Sequence, residues 1–319
     1  MPPSWQAPLL ASDAVTNSGN DSVPLDLAAS PRDNLYAFGK TWGTFSEDPL
    51  VSTFHGAMYA SIGTQRLQPL FGYAGTGITK VRFVGEGADE RLQMRGKETG
   101  FFYDLRSGEV IETWDNPFTG ETVEVFPFLN DRIGGELTLE MPRLYVGDAE
   151  EHGVAMNENV DANADGSLPF ILPWAVYGDE VLLEWDYAHE YPNPVTPSGW
   201  PRSSTGETIN PSEHFVIYTS KAELEDRDLA SAHFRAGFSR VSPFWPWMRM
   251  GGSGLEGGVM TGRLHSRKTI RGLDDVPPAI RAYTEKHHPS YFEAPTDWDV
   301  SGPILSSWEA YARETPREA

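Results

Sequence analysis

Five short segments decide the fold: LQPLFGYA (67–74), TKVRFV (79–84), RLQMRGKETGFFYDL (91–105), GEVIETWD (108–115) and ETVEVFPF (121–128). Each is rich in Val, Phe, Tyr, Trp or Thr, the residues that suit a pleated surface. Turn residues separate them: Gly75 and Gly77, Gly85 to Asp89, Arg106-Ser107-Gly108, and Asn116 to Gly120. The gaps are too short for crossover helices, so neighbouring strands must run antiparallel. A meander of this kind removes its exposed edges by closing on itself. The expected fold is therefore all-β and mainly antiparallel, a calycin- or lipocalin-like barrel with long loops.

Working outward, further strands are expected at 135–146, 169–177, 180–191, 213–221, 232–241 and 259–271. The acidic stretch from Asp148 to Gly166 reads as a surface loop, and the Pro-rich 192–212 as a long irregular excursion of the kind that often carries function. Two short C-terminal helices are expected, Val276–Lys286 behind Pro277-Pro278 and Ser306–Arg313. Residues 1–45 read as an extended N-terminal lead-in, and 46–319 as one barrel-like domain.

With 319 residues, 39% hydrophobic residues and 10 Trp, the chain can bury a sizeable core. Its formal charge of −21 repels phosphate backbones and anionic lipid, which argues against nucleic acid and membrane surfaces as partners. Having no cysteine, it can form no disulfide, thiolate metal site or Cys nucleophile. No window approaches the roughly 18 apolar residues of a membrane span, and the opening MPPSWQAPLLASDAVT lacks a signal-peptide pattern. The reading is a cytoplasmic protein, with a removed export leader and homo-oligomerisation left open.

Chemistry is sought first in Val181–Tyr191. Strand alternation places Val181, Leu183, Trp185, Tyr187, His189 and Tyr191 on one face and Glu184, Asp186 and Glu190 on the other. The first face passes from aliphatic groups to hydroxyls and an imidazole, which suits the mouth of an apolar pocket. His189 is a candidate acid or base, with Tyr187 or Tyr191 as donor to a developing oxyanion. A second pair, His214 and Tyr218, shares a strand face with Val216. The alternative for all of them is that polar tips merely meet solvent. The cluster Ser242-Pro243-Phe244-Trp245-Pro246-Trp247-Met248 is a rigid aromatic turn whose Trp245 and Trp247 either wall a ligand or plug a barrel end. His55 is an isolated core or pocket candidate.

Three motif matches fail on context. Gly252-Ser253-Gly254-Leu255-Glu256-Gly257 follows a Trp/Pro turn instead of a strand, so it is no dinucleotide loop. Asp161, Asn163, Asp165 and Gly166 open like a calcium loop, but Leu172 stands where a bidentate Glu is required. His287-His288 reads as a helix end. No metal site and no cofactor are expected.

Asn116-Pro117-Phe118-Thr119-Gly120-Glu121 with Asn130-Asp131, Ser242-Pro243 through Trp247 to Gly251, and Val276-Pro277-Pro278 with Pro289-Ser290-Tyr291 resemble the bacterial and fungal family catalogued as domain of unknown function 1838. The resemblance runs from about 35 to 315 and implies one domain of this length, with no catalytic residues to carry over.

The expected function is a cofactor-independent enzyme of lyase, isomerase or hydrolase type. His189, His214 and Tyr187 would act on a small hydrophobic, aromatic or terpenoid molecule. Trp185, Tyr191, Tyr218, Trp245, Trp247 and His55 would line its pocket. The alternative is a lipocalin-like binding protein without catalysis. A structural or oligomeric module with no enclosed cavity is the third reading.

Overall fold

The first and last long strands of the chain lie side by side at the centre of the structure, a computed structural model. It describes residues 23–318 apart from 49, 65, 142, 147–148, 156–166, 189, 256, 270–271 and 299–305, with backbone alone over 143–155 and at 185 and 187. The strands are β1 (Val51–Ser61), β2 (Gln68–Val84), β3 (Arg91–Tyr103), β4 (Thr113–Asp115), β5 (Thr122–Glu124), β6 (Phe128–Ile133), β7 (Glu136–Thr138), β8 (Arg143–Val146), β9 (Ala149–Ala155), β10 (Trp174–Tyr177), β11 (Glu180–Ala188), β12 (Tyr191–Pro192), β13 (Thr208–Ile209), β14 (Ser212–Ser220), β15 (Arg235–Ser242) and β16 (Val259–Lys268). The helices are α1 (Pro31–Trp42), α2 (Lys221–Glu225), α3 (Pro278–His287) and α4 (Ser307–Glu314).

One antiparallel sheet runs in the order β10-β11-β14-β15-β16-β1-β2-β3-β6, with β7 also on β3. Its central seam is β1 on β16, from Ser52 opposite Lys268 to Ser61 opposite Val259. Among the described residues the ladder does not close: β10 ends one side, β6 and β7 the other. The expected antiparallel β class holds; its hydrogen-bonded form is an open sheet.

That sheet is nevertheless strongly curled. Five strand spacings separate β3 from β14, about 24 Å if flat. Yet Glu213 on β14 comes close enough to raise the Glu98 carboxyl on β3. Val81 and Leu92 likewise share one cluster with Leu183, Ile217 and Ala236 from the opposite side. Interior glycines permit this. A Cβ at Gly75 would lie 2.4 Å from Cζ of Phe54, so only glycine leaves room for that ring on the concave face.

Two plugs fill the ends of the trough. At one end α1 contributes Leu35 and Phe38 to the cluster with Val81, Leu92, Leu183 and Ile217. Ser30 caps the start of α1 by accepting from the Asp33 N–H, and Pro31 occupies its first turn. The far end of this helix is finished by the buried Lys268, whose ammonium donates to the carbonyls of Lys40 (2.8 Å), Gly43 (2.9 Å) and Ala232 (3.0 Å) and to Ser231 Oγ (2.7 Å). These bonds satisfy acceptors that a helix end leaves open. The expected extended lead-in therefore ends before residue 31. Its composition is polar, but Ser-Pro-x-Asp is a helix-start signature.

At the other end the aromatic turn at 244–250 is the plug. Trp247 packs against Phe71 (5.4 Å), Phe102 (5.3 Å) and Trp114 (5.8 Å), and Trp245 against Phe102 (4.9 Å). Each indole buries about 200 Å², on the order of 5 kcal/mol of transfer free energy. Asn116, which is 2% exposed, ties this turn to the loop at 116–120. Its amide donates to the Met248 carbonyl at 2.7 Å, and its Oδ1 accepts from the Phe118 N–H at 2.8 Å. Two separated sequence phrases thus form one joint.

On the convex side, α3 and the turn before it cover β1 to β3, with Val276 and Ile280 on Val51, Ala74 and Ile78, and Tyr283 tilted against Phe101 at 4.6 Å. Both C-terminal helices stand where expected. Residues 67–84, read as two strands, form the single strand β2, because Gly75 and Gly77 are concave-face residues and not a turn. The demoted glycine stretch is a turn leading into β16. The calcium-like Asp161–Gly166 lies outside the described residues. No helix among the described residues is long and apolar enough to cross a membrane.

Candidate functional site

Between the two plugs the concave face turns polar. On β3 the side chains facing inward are Leu92, Met94, Glu98 and Phe102, so a carboxyl stands alone in an apolar row. Glu98 is in register with Gly77 of β2 and Asn130 of β6. A Cβ at Gly77 would sit 2.8 Å from Cγ of Glu98, so the missing side chain is the space the carboxyl occupies. Burial raises the Glu98 carboxyl from its ordinary 4.5 to about 7; the hydrogen bond from Asn130 opposes this, and Glu213 adds to it. Glu98 is half-buried, between the buried Lys97 and Thr99 of the same strand.

Across the trough, Glu213 and Arg240 face each other on β14 and β15 and pair at 3.2 Å. Burial raises the Glu213 carboxyl, and Arg240 works against it. Tyr191, at the start of the 192–212 excursion, hydrogen-bonds Arg240, and its hydroxyl is raised by burial. Tyr73 completes the group: burial holds its hydroxyl well above 10, with Glu98 adding and Arg240 opposing. A phenol so displaced stays protonated and can only donate or accept a hydrogen bond near neutrality.

Rings wall the space. Phe54 packs on Tyr73 (5.1 Å) and Phe128 (6.2 Å), and Phe128 on Tyr73 (5.1 Å). From above, α4 lays Trp308 over the Arg240 guanidinium at 5.7 Å. The Ser307 hydroxyl of α4 accepts from the Leu129 N–H at 3.2 Å, and its Tyr311 meets Ser203 at 3.0 Å. A crevice of about 10 Å³ remains between Phe128 and Trp245 beneath Ser307 and Tyr311, room for about one water. A larger crevice of about 340 Å³ lies beside Leu25, Trp174 and Leu224. Its Lys221 and Glu225 pair with each other at 3.7 Å, and it holds no comparable acid–base group.

The residues singled out from the sequence divide differently. Tyr191 belongs to the interior group, and Trp245 and Trp247 line its edge while acting as the plug. His214 and Tyr218 do share a face, as alternation demands, but it is the convex one. There His214 Nδ1 meets Asp186 at 3.0 Å, and Tyr218 lies under the guanidinium of Arg235 at 4.9 Å. The inward residues of that strand are Glu213, Phe215 and Ile217. His55 is also convex and exposed, 6.0 Å from the His265 ring, its basicity lowered by desolvation and then by His265 and Arg267. His189 lies outside the described residues, as do the side chains of Trp185 and Tyr187; position 187 is in register with Glu213. Val181 and Leu183 are buried and Glu184 and Asp186 exposed, as expected.

Sequence reasoning gave no site role to Glu98, Asn130, Glu213 or Arg240, although Asn130 stood among the motifs of the family resemblance. Their signal was a single polar residue within an inward row, as in Leu92-x-Met94-x-Gly96-x-Glu98-x-Gly100-x-Phe102. Among the described residues no group of three or more His, Asp or Glu side chains is placed to hold a metal ion.

A family model described as "Protein of unknown function (DUF1838)" matches residues 47–315. No curated protein matches the chain.

Proposed function

We propose that this chain, which belongs to the DUF1838 family, is a proton-transfer enzyme acting on a small hydrophobic molecule held in the concave face of a calycin-like curled sheet. The observation that carries this reading is Glu98, a carboxyl with a pKa of about 7 inside a ring-lined space. A group so placed exists in both forms at neutral pH, which is optimal for taking and returning a proton. A displaced pKa in an enclosed site is a functional marker with a physical cause.

The other groups supply complementary roles. As carboxylate, Glu98 accepts a proton from the bound molecule; as acid, it returns that proton to another atom of the same molecule or to a leaving group. Tyr73 remains protonated and donates to oxygen charge that develops during the step. The Glu213–Arg240 pair fixes a positive charge beside Tyr191 without adding net charge. Proton transfer of this sort contributes about 10²–10⁴-fold to rate.

The test is deuterium uptake from D₂O, followed by NMR, into two enolisable probes, cyclohexanone and acetophenone. Exchange catalysed by the wild type and lost at least 100-fold in Glu98→Gln, with probe binding retained, supports the reading. Catalysed exchange that survives Glu98→Gln removes it. The number of rings on the concave face supports a second reading, a ligand carrier without catalysis. Binding of both probes with no exchange is its outcome.

A further inference from the structure

Two polar atoms of the concave site have no hydrogen-bond partner although both are buried: Asn130 Oδ1 and Arg240 Nε. Their sister atoms are engaged. The Asn130 side chain hydrogen-bonds Glu98, and Arg240 reaches Glu213 through Nη1 at 3.2 Å. An unmet buried donor or acceptor is destabilising, and native folds retain few of them. Here one is an acceptor and the other a donor, and they belong to side chains that converge on one space. Tyr73 feels the charges of both Glu98, the partner of Asn130, and Arg240.

We infer that the molecule this site takes is a neutral aromatic carrying both a hydrogen-bond acceptor and a donor, of the hydroxyaryl ketone class. Its carbonyl is received by Arg240 Nε and its hydroxyl by Asn130 Oδ1. The inference rests on the concave face being the functional site and deepens that reading. Charge sets the neutrality. The Arg240 charge is already answered by Glu213, so a ligand carboxylate would stand uncompensated beside two carboxyls. Ring shape follows from the walls, Phe54, Phe128 and Tyr73, whereas Trp308 covers the guanidinium. Reaching Nε requires the ligand ring to displace that indole, and with it α4.

The test measures binding, by quenching of tryptophan fluorescence, of the three hydroxyacetophenone isomers, acetophenone, phenol and benzoate. The proteins are the wild type, Asn130→Ala and Arg240→Lys, each first shown folded by circular dichroism; the lysine keeps the charge beside Glu213 and removes Nε. The best isomer should bind the wild type about 10-fold more tightly than acetophenone or phenol, the worth of about one net hydrogen bond. Asn130→Ala should erase the advantage over acetophenone alone, and Arg240→Lys the advantage over phenol alone. A preference for benzoate, equal binding of all the neutral probes, or an advantage that survives both substitutions overturns the inference. A preserved preference without proton exchange overturns the enzyme reading instead and leaves the ligand class standing.

Discussion

Replacing Glu98 by Gln should make the protein less sensitive to rising pH. In the folded chain Glu98 titrates at about 7, and its ordinary value is 4.5. Below pH 4.5 the group is protonated whether the chain is folded or not, so it contributes no pH dependence. Between 4.5 and 7 the unfolded chain gains by ionising while the folded chain cannot, and stability falls. Above 7 both states are ionised and the loss is complete. At about 1.4 kcal/mol per pH unit, the interval corresponds to about 3 kcal/mol. Residual access to interior water trims this toward about 2 kcal/mol. For a chain of 319 residues that is about 3 °C in melting temperature. Gln is neutral and nearly isosteric, so its pH profile should lack this decline and keep the one from Glu213, whose carboxyl is also raised by burial. Urea unfolding at half-unit steps from pH 4 to 8 reads the difference. Parallel profiles for the two proteins would refute the claim that Glu98 sits in a desolvated site.

Asn116→Ala removes the joint between the 116–120 loop and the aromatic turn and leaves the buried Met248 carbonyl unmet, so it should cost about 1–3 kcal/mol in urea unfolding. Lys268→Met withdraws the ammonium from the Lys40 and Gly43 carbonyls at the α1 end and from Ala232 and Ser231 beside it, and should cost about 1–3 kcal/mol, read as a lower urea midpoint at pH 7. His214→Ala touches an exposed ion pair on the convex face; it should change stability by less than about 1 kcal/mol and leave probe binding unaltered.

The class of fold was legible because turn residues and alternation act locally, and the sheet is antiparallel where the close spacing of segments required it. β1 was invisible for the same reason: Val51–Ser61 carries His55, Gly56 and Ala57 where a clean two-residue period would need bulkier groups, since both its neighbours supply the packing. Gly75 and Gly77 were read as punctuation, but their role is tertiary. They make room for Phe54 and Glu98, partners that only the register brings near. At the candidate site the period-2 rule chose faces correctly for Val181, Leu183, Glu184 and Asp186, yet nothing local says which face of β14 is the inner one. His214 looked more chemical than its neighbour Glu213, and the curl of the sheet gave the interior to Glu213.

The seam between β1 and β16 has a consequence for how the chain reaches this state. Ser52 must find Lys268, so the middle of the sheet cannot assemble until more than two hundred residues have followed β1 out of the ribosome. At about 5–20 residues per second, β1 waits roughly 10–40 s without that neighbour. Pairings so distant in sequence are also slow to form, because the loop must close before the contact repays it. During the wait, β2 and β3 can already pair through Gly72–Val84 and Arg91–Tyr103, whereas α1 has neither its lysine nor the wall it plugs. The strand that completes the centre of the sheet is therefore the last of its strands to be made.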